Sequence, residues 1–551
     1  MLTYTPKPVT AVPRTNEYPW LLLLLVLIWL WPGVFQHDLW KPGELGVMQA
    51  VEEVAQHPRW LPTLYGEPYF GVSPVYIHTA AFFRRLLAPW LTDAYSAARF
   101  ASVLFSSIGL FGAGMAGYRF LGRHHGRSVV LILIGSIGLL PIAHFLGAHS
   151  PTFAGVGLAM WGYAIAPRQA VFGAVWLALG ATLVSQSAGF AVALLLLLAG
   201  SLQFMFAPWR TPRYFASHLG AWCMALPLLT LYPLALFLTA PSEFSVYLQQ
   251  HLFGSYGGTR QVQAAFQLGY YATHSLWFAF PAWPLAVWTL SRKHQSGSRV
   301  QTWVLSYLVL FGLFLAFNPE RNQDLLVLVL PPLALLGAAQ LDHLRRGAAA
   351  FLNWFGGAVF GAAALFLWMG FVAMNYGIPA KLASRAIYFS PYYTPATNTA
   401  HIAAALLFTA MWLVAVTRKR IRGRQAITNW AAGVTLAWAL LMTLFLPWLN
   451  AAKSHAPVVH QMEAALSAKL KQQLSDGLEC INIDGQDQRT RIAWTQYSHI
   501  KTTTDNPSCR YRLIRQAANI GAPSGWQTLW QGARPRNKAE TFLLLEKTAA
   551  Q

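Results

Sequence analysis

Apolar runs of about twenty residues, the length that crosses a bilayer as a helix, recur along most of this chain. They fall at 20–36, 98–118, 128–147, 151–167, 170–187, 188–206, 214–239, 269–291, 300–317, 325–342, 348–376, 399–416 and 426–448. Such a chain folds as a polytopic α-helical membrane protein with about thirteen spans. Composition agrees: 11% of residues are charged and 55% hydrophobic, against roughly 25% charged in a soluble domain. The formal charge of +21 invites a nucleic-acid reading. The distribution of the basic residues excludes it, because they sit in short clusters between apolar blocks, as the positive-inside rule places them.

The clusters orient the spans. Arg119/Arg123/Arg127, Arg168, Arg210/Arg213, Arg292/Lys293/Arg299, Arg345/Arg346 and Arg418/Lys419/Arg420/Arg422/Arg424 mark one side, with Lys7 and Arg14. Loops 37–97, 148–150, 240–268, 318–324, 377–398 and the tail from 449 fall opposite and carry His, Glu, Asp and aromatics. With thirteen spans the N-terminus is then cytoplasmic and the tail outside. Lys381 and Arg385 break the pattern, and two basic residues outside invite a phosphate ligand. The first run has no small-residue cleavage site after it, so it reads as a retained helix.

Two segments of the first outer loop lie on the membrane rather than across it. "PVYIHTAAFFRRLLAPWLT" (74–92) is apolar, but Arg84 and Arg85 sit in its middle, where a bilayer makes them expensive. "PGELGVMQAVEEVAQ" (42–56) places Leu45, Met48, Val51 and Val54 at helical spacing behind Pro42, with Glu44, Glu52 and Glu53 pointing elsewhere. The sequence divides into a membrane domain, 1–448, and a small α+β domain, 449–551. In that tail "VVHQMEAALSAKLKQQL" reads as an amphipathic helix, and "CINI", "RIAWTQY", "YRLIR", "WQTLWQ" and "TFLLLE" as strands. Cys480 and Cys509 share the tail, free or bonded; a periplasmic location favours a disulfide. Cys223 lies in an apolar run.

The order of features resembles the GT-C glycosyltransferases, in particular the aminoarabinose transferase and protein-mannosyltransferase-like family. "DLWKPGE" (38–44) resembles a first-loop motif Trp-x-Pro-Asp-Glu. "RWLPTLYGEPYFGVSPVY" (59–76) is similar to the following stretch, with its Tyr-Phe-Glu-Lys-Pro-Pro run. "YYATHSLWFAFPAWPLA" (270–286) and "RNQDLLVLVLPPLALLGAA" (321–339) resemble two later helices. The resemblance implies a bacterial inner membrane, with the tail periplasmic. It implies a polyprenyl-phosphate-linked sugar as donor and a lipid or glycan acceptor, such as lipid A, at the periplasmic face. It implies no nucleotide-sugar, and a divalent cation is optional. The departures are specific: the motif Asp falls on Gly43, the Glu-Lys pair on Gly71 and Val72, and an Arg and an outer-edge Asp give way to His144 and His149.

Glycosyl transfer passes through an oxocarbenium-like state that a carboxylate stabilises, and the leaving lipid phosphate needs cations. The candidate carboxylates are Glu44 and Asp38; Arg321, Arg59, Arg260, Lys381 and Arg385 are the candidate phosphate ligands. The bland alternative has Glu44 capping a helix start and Asp38 solvating a loop. His37, His78 and His149 have no fixed metal-ligand spacing, and no metal site is expected. A non-catalytic member of the same fold that binds a lipid-linked substrate or a partner enzyme stays open. A transporter is disfavoured by the few charges within spans and the lack of paired broken helices.

Overall fold

The computed structural model describes residues 19–292, 298–417, 423–517, 520–537 and 539–548. Lys7, Arg14, Lys293, Arg418, Lys419, Arg420 and Arg422, used above to orient the loops, lie outside those residues.

The first apolar run forms α1 (Pro19–Leu30), after which the chain turns at Gly33, φ +86°, against Met442 and Trp438. Two non-spanning helices follow, α2 (Pro42–Gln56) and α3 (Pro74–Leu87), with the hairpin β1 (Thr63–Leu64) and β2 (Glu67–Pro68) between them. A 14-residue helix such as α3 is about 21 Å long, too short for a hydrocarbon core of about 30 Å. Its arginines are bound rather than lipid-facing. Arg84 makes a bidentate pair with Glu52 at 2.7 and 2.9 Å. Arg85 donates to the last carbonyls of α2, those of Val54 and Ala55.

The membrane body runs α4 (Ala94–Leu121), α5 (His125–Ile134), α6 (Leu139–His144), α7 (His149–Ile165), α8 (Ala170–Ala188), α9 (Phe190–Ser201) and α10 (Pro212–Thr239). After α11 (Pro241–Val246) come α12 (Leu268–Phe278), α13 (Ala282–Leu290), α14 (Arg299–Ala316), α15 (Leu330–Ala339), α16 (Arg346–Tyr376), α17 (Ala380–Phe389), α18 (Thr399–Val416), α19 (Gly423–Leu444) and α20 (Leu446–Lys453). Seven helices among the described residues are long and apolar enough to cross a membrane: α4, α8, α10, α14, α16, α18 and α19. Thirteen apolar runs therefore do not give thirteen straight spans. The run 128–147 breaks between α5 and α6 at Gly135–Gly138, and 269–291 breaks at Pro281, which has no N–H to continue a helix. The two breaks meet, with the Gly138 N–H donating to the Phe278 carbonyl at 3.2 Å.

In lipid no hydrophobic force draws helices together, so close backbone approach does the packing. A Cβ on Gly112 would lie 2.5 Å from the Gly157 carbonyl carbon, and one on Gly155 2.7 Å from the Gly180 oxygen. Glycines thus press α4 on α7 and α7 on α8.

The loops separate into two ends. At one, Arg424 pairs with Asp342, Arg299 donates to the Pro208 carbonyl, and Arg292 and Arg345 lie over the Trp288 ring. At the other, loops 37–97, 148–150, 240–268 and 318–324 converge.

The tail contains α21 (Ala456–Ala465), α22 (Ala468–Ser475), α23 (Gln488–Tyr497) and a mixed sheet of β3 (Ile481–Ile483), β4 (Thr503–Thr504), β5 (Tyr511–Gln516), β6 (Trp526–Gly532) and β7 (Thr541–Lys547), ordered β4-β3-β5-β7-β6. Two expectations need correction. "RIAWTQY" is helical, because Asp487 caps the N–H of Thr490 and Thr490, Ala493 and Trp494 share a buried helical face. The single helix expected from Val458 onward is two, since Ser467 starts a new one by accepting from the Leu470 N–H. Cys480 and Cys509 are joined by a disulfide, and Cys223 is free and exposed. The tail rests on the first loop: Gln496 donates to Gln49 at 2.9 Å, and the Leu39 N–H to the Tyr497 hydroxyl at 3.1 Å.

Candidate active site

Pro42 opens α2 at a position where its missing N–H costs nothing. Glu44, one turn in, reaches back: its Oε2 accepts from the backbone N–H groups of Trp40 and Lys41 at 3.0 and 3.1 Å. This is a reciprocal helix cap. Its Oε1 accepts from the Leu146 N–H at 3.1 Å and faces Arg99 Nη2 at 3.5 Å. Arg99, fully buried in α4, also donates to the carbonyls of His37 and Asp38. Glu44 therefore locks α2, α4 and the α6–α7 junction together. Four donors leave its oxygens little capacity for anything else.

The backbone that Glu44 holds carries Lys41 to the wall of a cavity of about 240 Å³. Gly43, Tyr69, Gly71, Val72, Phe145, His149 and Asp324 also line it. Asp324 comes from the loop before α15. Asn322 fixes it by accepting from its N–H at 3.0 Å, and the Asn322 amide stands 3.4 Å from His149 Nε2. Lys41 Nζ lies 3.7 Å from Asp324 Oδ2 and 4.8 Å above the Phe145 ring. The other carboxylate oxygen of Asp324 is buried without a hydrogen-bond partner, as is Nδ1 of His149.

Gly71, Val72, Ala148 and His149 open onto a second, mixed polar and apolar cavity of about 370 Å³. It is lined further by Ser185–Gly189 and by Tyr247, His251, Glu320 and Asn322. Phe70 stacks on His251 at 4.7 Å. Asn318 holds this wall, donating to Ser255 and accepting from the Glu320 N–H. Pro74, Gln186 and Tyr232 carry the cleft into a third space of about 690 Å³, an apolar groove between α3, α8 and α10. Leu228, Leu231, Leu234 and Leu238 form its far side. The cleft thus runs from an apolar groove between helices, through a mixed polar and apolar stretch, to the end that holds Lys41 and Asp324.

Of the carboxylates and phosphate-binding cations nominated from sequence, only Glu44 lines this cleft. Asp38 lies behind it, next to Ser454 and Tyr497; burial raises its carboxyl pKa, against the Ser454 hydrogen bond and the Arg99 charge. Arg321 is exposed and donates to Gln267 at 3.0 Å. Arg59 and Arg260 are exposed on loops, and Lys381 and Arg385 on α17. None of these five reaches the cleft walls. His37, His78 and His149 do not converge: His37 is held by the Gly33 carbonyl and His78 by that of Trp60. Among the described residues no group of three His, Cys, Asp or Glu is placed to hold a metal. Lys41, Arg99 and Asp324 were not nominated, although Lys41 lies inside the first-loop motif and Asp324 inside "RNQDLLVLVLPP".

No family model and no curated protein matches the chain. Solved structures do. The structure of ArnT from Cupriavidus metallidurans in the apo state aligns over 95% of this chain and 97% of its own, at 14% identity and a TM-score of 0.59. The same protein bound to undecaprenyl phosphate aligns over the same shares, at 13% identity and 0.57. The chain therefore shares the fold of this ArnT, in line with the fold that the sequence resemblance implied.

Proposed function

We propose that this chain transfers a sugar from a polyprenyl-phosphate carrier to a lipid or glycan acceptor, at the periplasmic face of a bacterial inner membrane. The continuous cleft carries the reading. A lipid-linked sugar phosphate is a long apolar chain, a phosphate and a polar ring, in that order. The cleft offers an apolar groove, a polar stretch and a charged end in contiguous spaces. Loops 37–97, 148–150, 240–268 and 318–324, which contribute to its walls, belong to the set that the positive-inside rule places outside. The fold supports the same reading, since a protein that shares it has been seen with undecaprenyl phosphate. The tail rests on the first loop, with Gln496 donating to Gln49 on α2 and Tyr497 accepting from the Leu39 N–H ahead of it.

One observation favours a second reading. Glu44 is engaged by four donors and Gly43 carries no side chain, as in a non-catalytic protein that holds lipid-linked substrate. Mass spectrometry of total lipids, lipid A included, separates the two. Cells lacking the chain should lose a sugar-sized mass from one lipid class and regain it on complementation. Identical spectra, with undecaprenyl phosphate still bound by the purified protein, would favour the non-catalytic reading.

A further inference from the structure

We propose that Asp324 and Lys41 are the working carboxylate and the phosphate-binding cation of the cleft, brought together from distant parts of the chain; this rests on reading the cleft as a site of sugar transfer. The first loop is bare where a reactive side chain would be expected. Gly43 has none, and a Cβ built there meets no atom within 4 Å, so the cavity beside it is open. At Gly71 the space is taken, since a Cβ would lie 3.0 Å from the Tyr69 ring. Glu44 is committed to its four donors.

Asp324 differs from Glu44 in the property that matters. Its backbone is fixed by Asn322, one carboxylate oxygen is buried and unpartnered, and the residue lines the cavity. Leaving a buried acceptor unsatisfied is costly, and a ligand hydroxyl or amine would satisfy it. Lys41 is the complementary partner. Its contact with Asp324, at 3.7 Å, is longer than a hydrogen bond, and its side chain is 45% exposed. An arriving phosphate therefore draws the ammonium away at little cost and leaves Asp324 ionised beside the sugar.

The step balances as follows. The acceptor oxygen attacks the anomeric carbon and forms the new glycosidic bond. The bond from that carbon to the phosphate oxygen breaks, and its electron pair leaves with the lipid phosphate, whose added charge Lys41 meets. The acceptor hydroxyl proton passes to Asp324. During the step the same carboxylate faces the positive charge developing on the sugar ring. A base at this point identifies the acceptor class as a hydroxyl or amine rather than a phosphate, which needs no deprotonation.

The test expresses the full chain as wild type, Asp324→Asn, Lys41→Met and the double variant Asp324→Asn plus Gly43→Asp, in cells lacking the chromosomal copy. Lipid product is measured per folded molecule, and undecaprenyl phosphate binding is read by native mass spectrometry of nanodisc-held protein. We expect Asp324→Asn to lower product by about 100-fold or more while binding stays within about twofold. Lys41→Met should weaken binding by about tenfold or more. The added Asp in the open space at Gly43 should return product to the Asp324→Asn protein. Wild-type product from Asp324→Asn, or unchanged binding in Lys41→Met, would overturn the assignment and leave the transferase reading standing. Lys41, half exposed, tests the pair even if Asp324→Asn accumulates poorly. Equal lipids with and without the wild-type chain would overturn both.

Discussion

Glu44→Ala should fail by unfolding, not by losing a reactive group. Glu44 is 1% and Arg99 0% exposed, and their charged atoms are 3.5 Å apart. At an effective dielectric of about 20 their direct attraction is about 5 kcal/mol. Removing one member of a buried pair strands the other, at a cost of about 3–5 kcal/mol. The helix cap built on Trp40 and Lys41 adds about 1 kcal/mol. That is a large part of the roughly 5–15 kcal/mol that holds a typical domain folded. We therefore expect Glu44→Ala to accumulate poorly and to melt well below wild type in nanodiscs. Glu44→Gln, which keeps the shape and an acceptor oxygen, should lose less. Residual product should scale with the folded fraction. A Glu44→Ala protein that melts within about 1 kcal/mol of wild type yet makes no product would refute the structural role and return Glu44 to the chemistry.

Two further outcomes test the tail. The Cys480–Cys509 bond closes a loop of sequence separation 29, so Cys480→Ser should destabilise the tail by about 3–4 kcal/mol, read as faster limited proteolysis of the tail with the membrane body intact. His455 lies outside the spans, and burial, then the Arg534 charge, hold its pKa at about 3 against 6.5 for an ordinary histidine. Its folded pKa is depressed, so the unfolded tail binds the proton first. The neutral ring's contribution is complete above pH 6.5 and is lost as pH falls toward 3. His455→Leu should flatten tail stability across that window, measured by hydrogen exchange; an unchanged slope would show that His455 does not set it.

The fold was legible because a bilayer leaves a chain little choice. Backbone groups in lipid must bond within their own helix, so each long apolar run announces itself. The breaks were not, because Gly135, Gly138 and Pro281 sit in runs that carry no charged residue and neighbouring helices accept freed groups, as the Phe278 carbonyl accepts the Gly138 N–H. The cleft loops were legible from charge alternation, and the site within them was not. Helical periodicity turns Glu44 away from the apolar stripe, but at the third position of α2 it reaches back to the cap and is buried. Arg321 drew attention as the basic residue of its stretch; the loop turns it out to Gln267 and turns Asp324, three residues on, inward to Lys41. No spacing along the chain links residue 41 to residue 324.

A structure of the full chain in nanodiscs with undecaprenyl phosphate tests the central claim most directly. We expect the phosphate within hydrogen-bonding distance of Lys41 Nζ, in the cavity walled by Gly43, His149 and Asp324, with the isoprenoid chain along Leu228–Leu238 between α3, α8 and α10. A phosphate held instead by Arg321 or Arg260, or by Lys381 and Arg385 on α17, with the Lys41–Asp324 pair untouched, would contradict it.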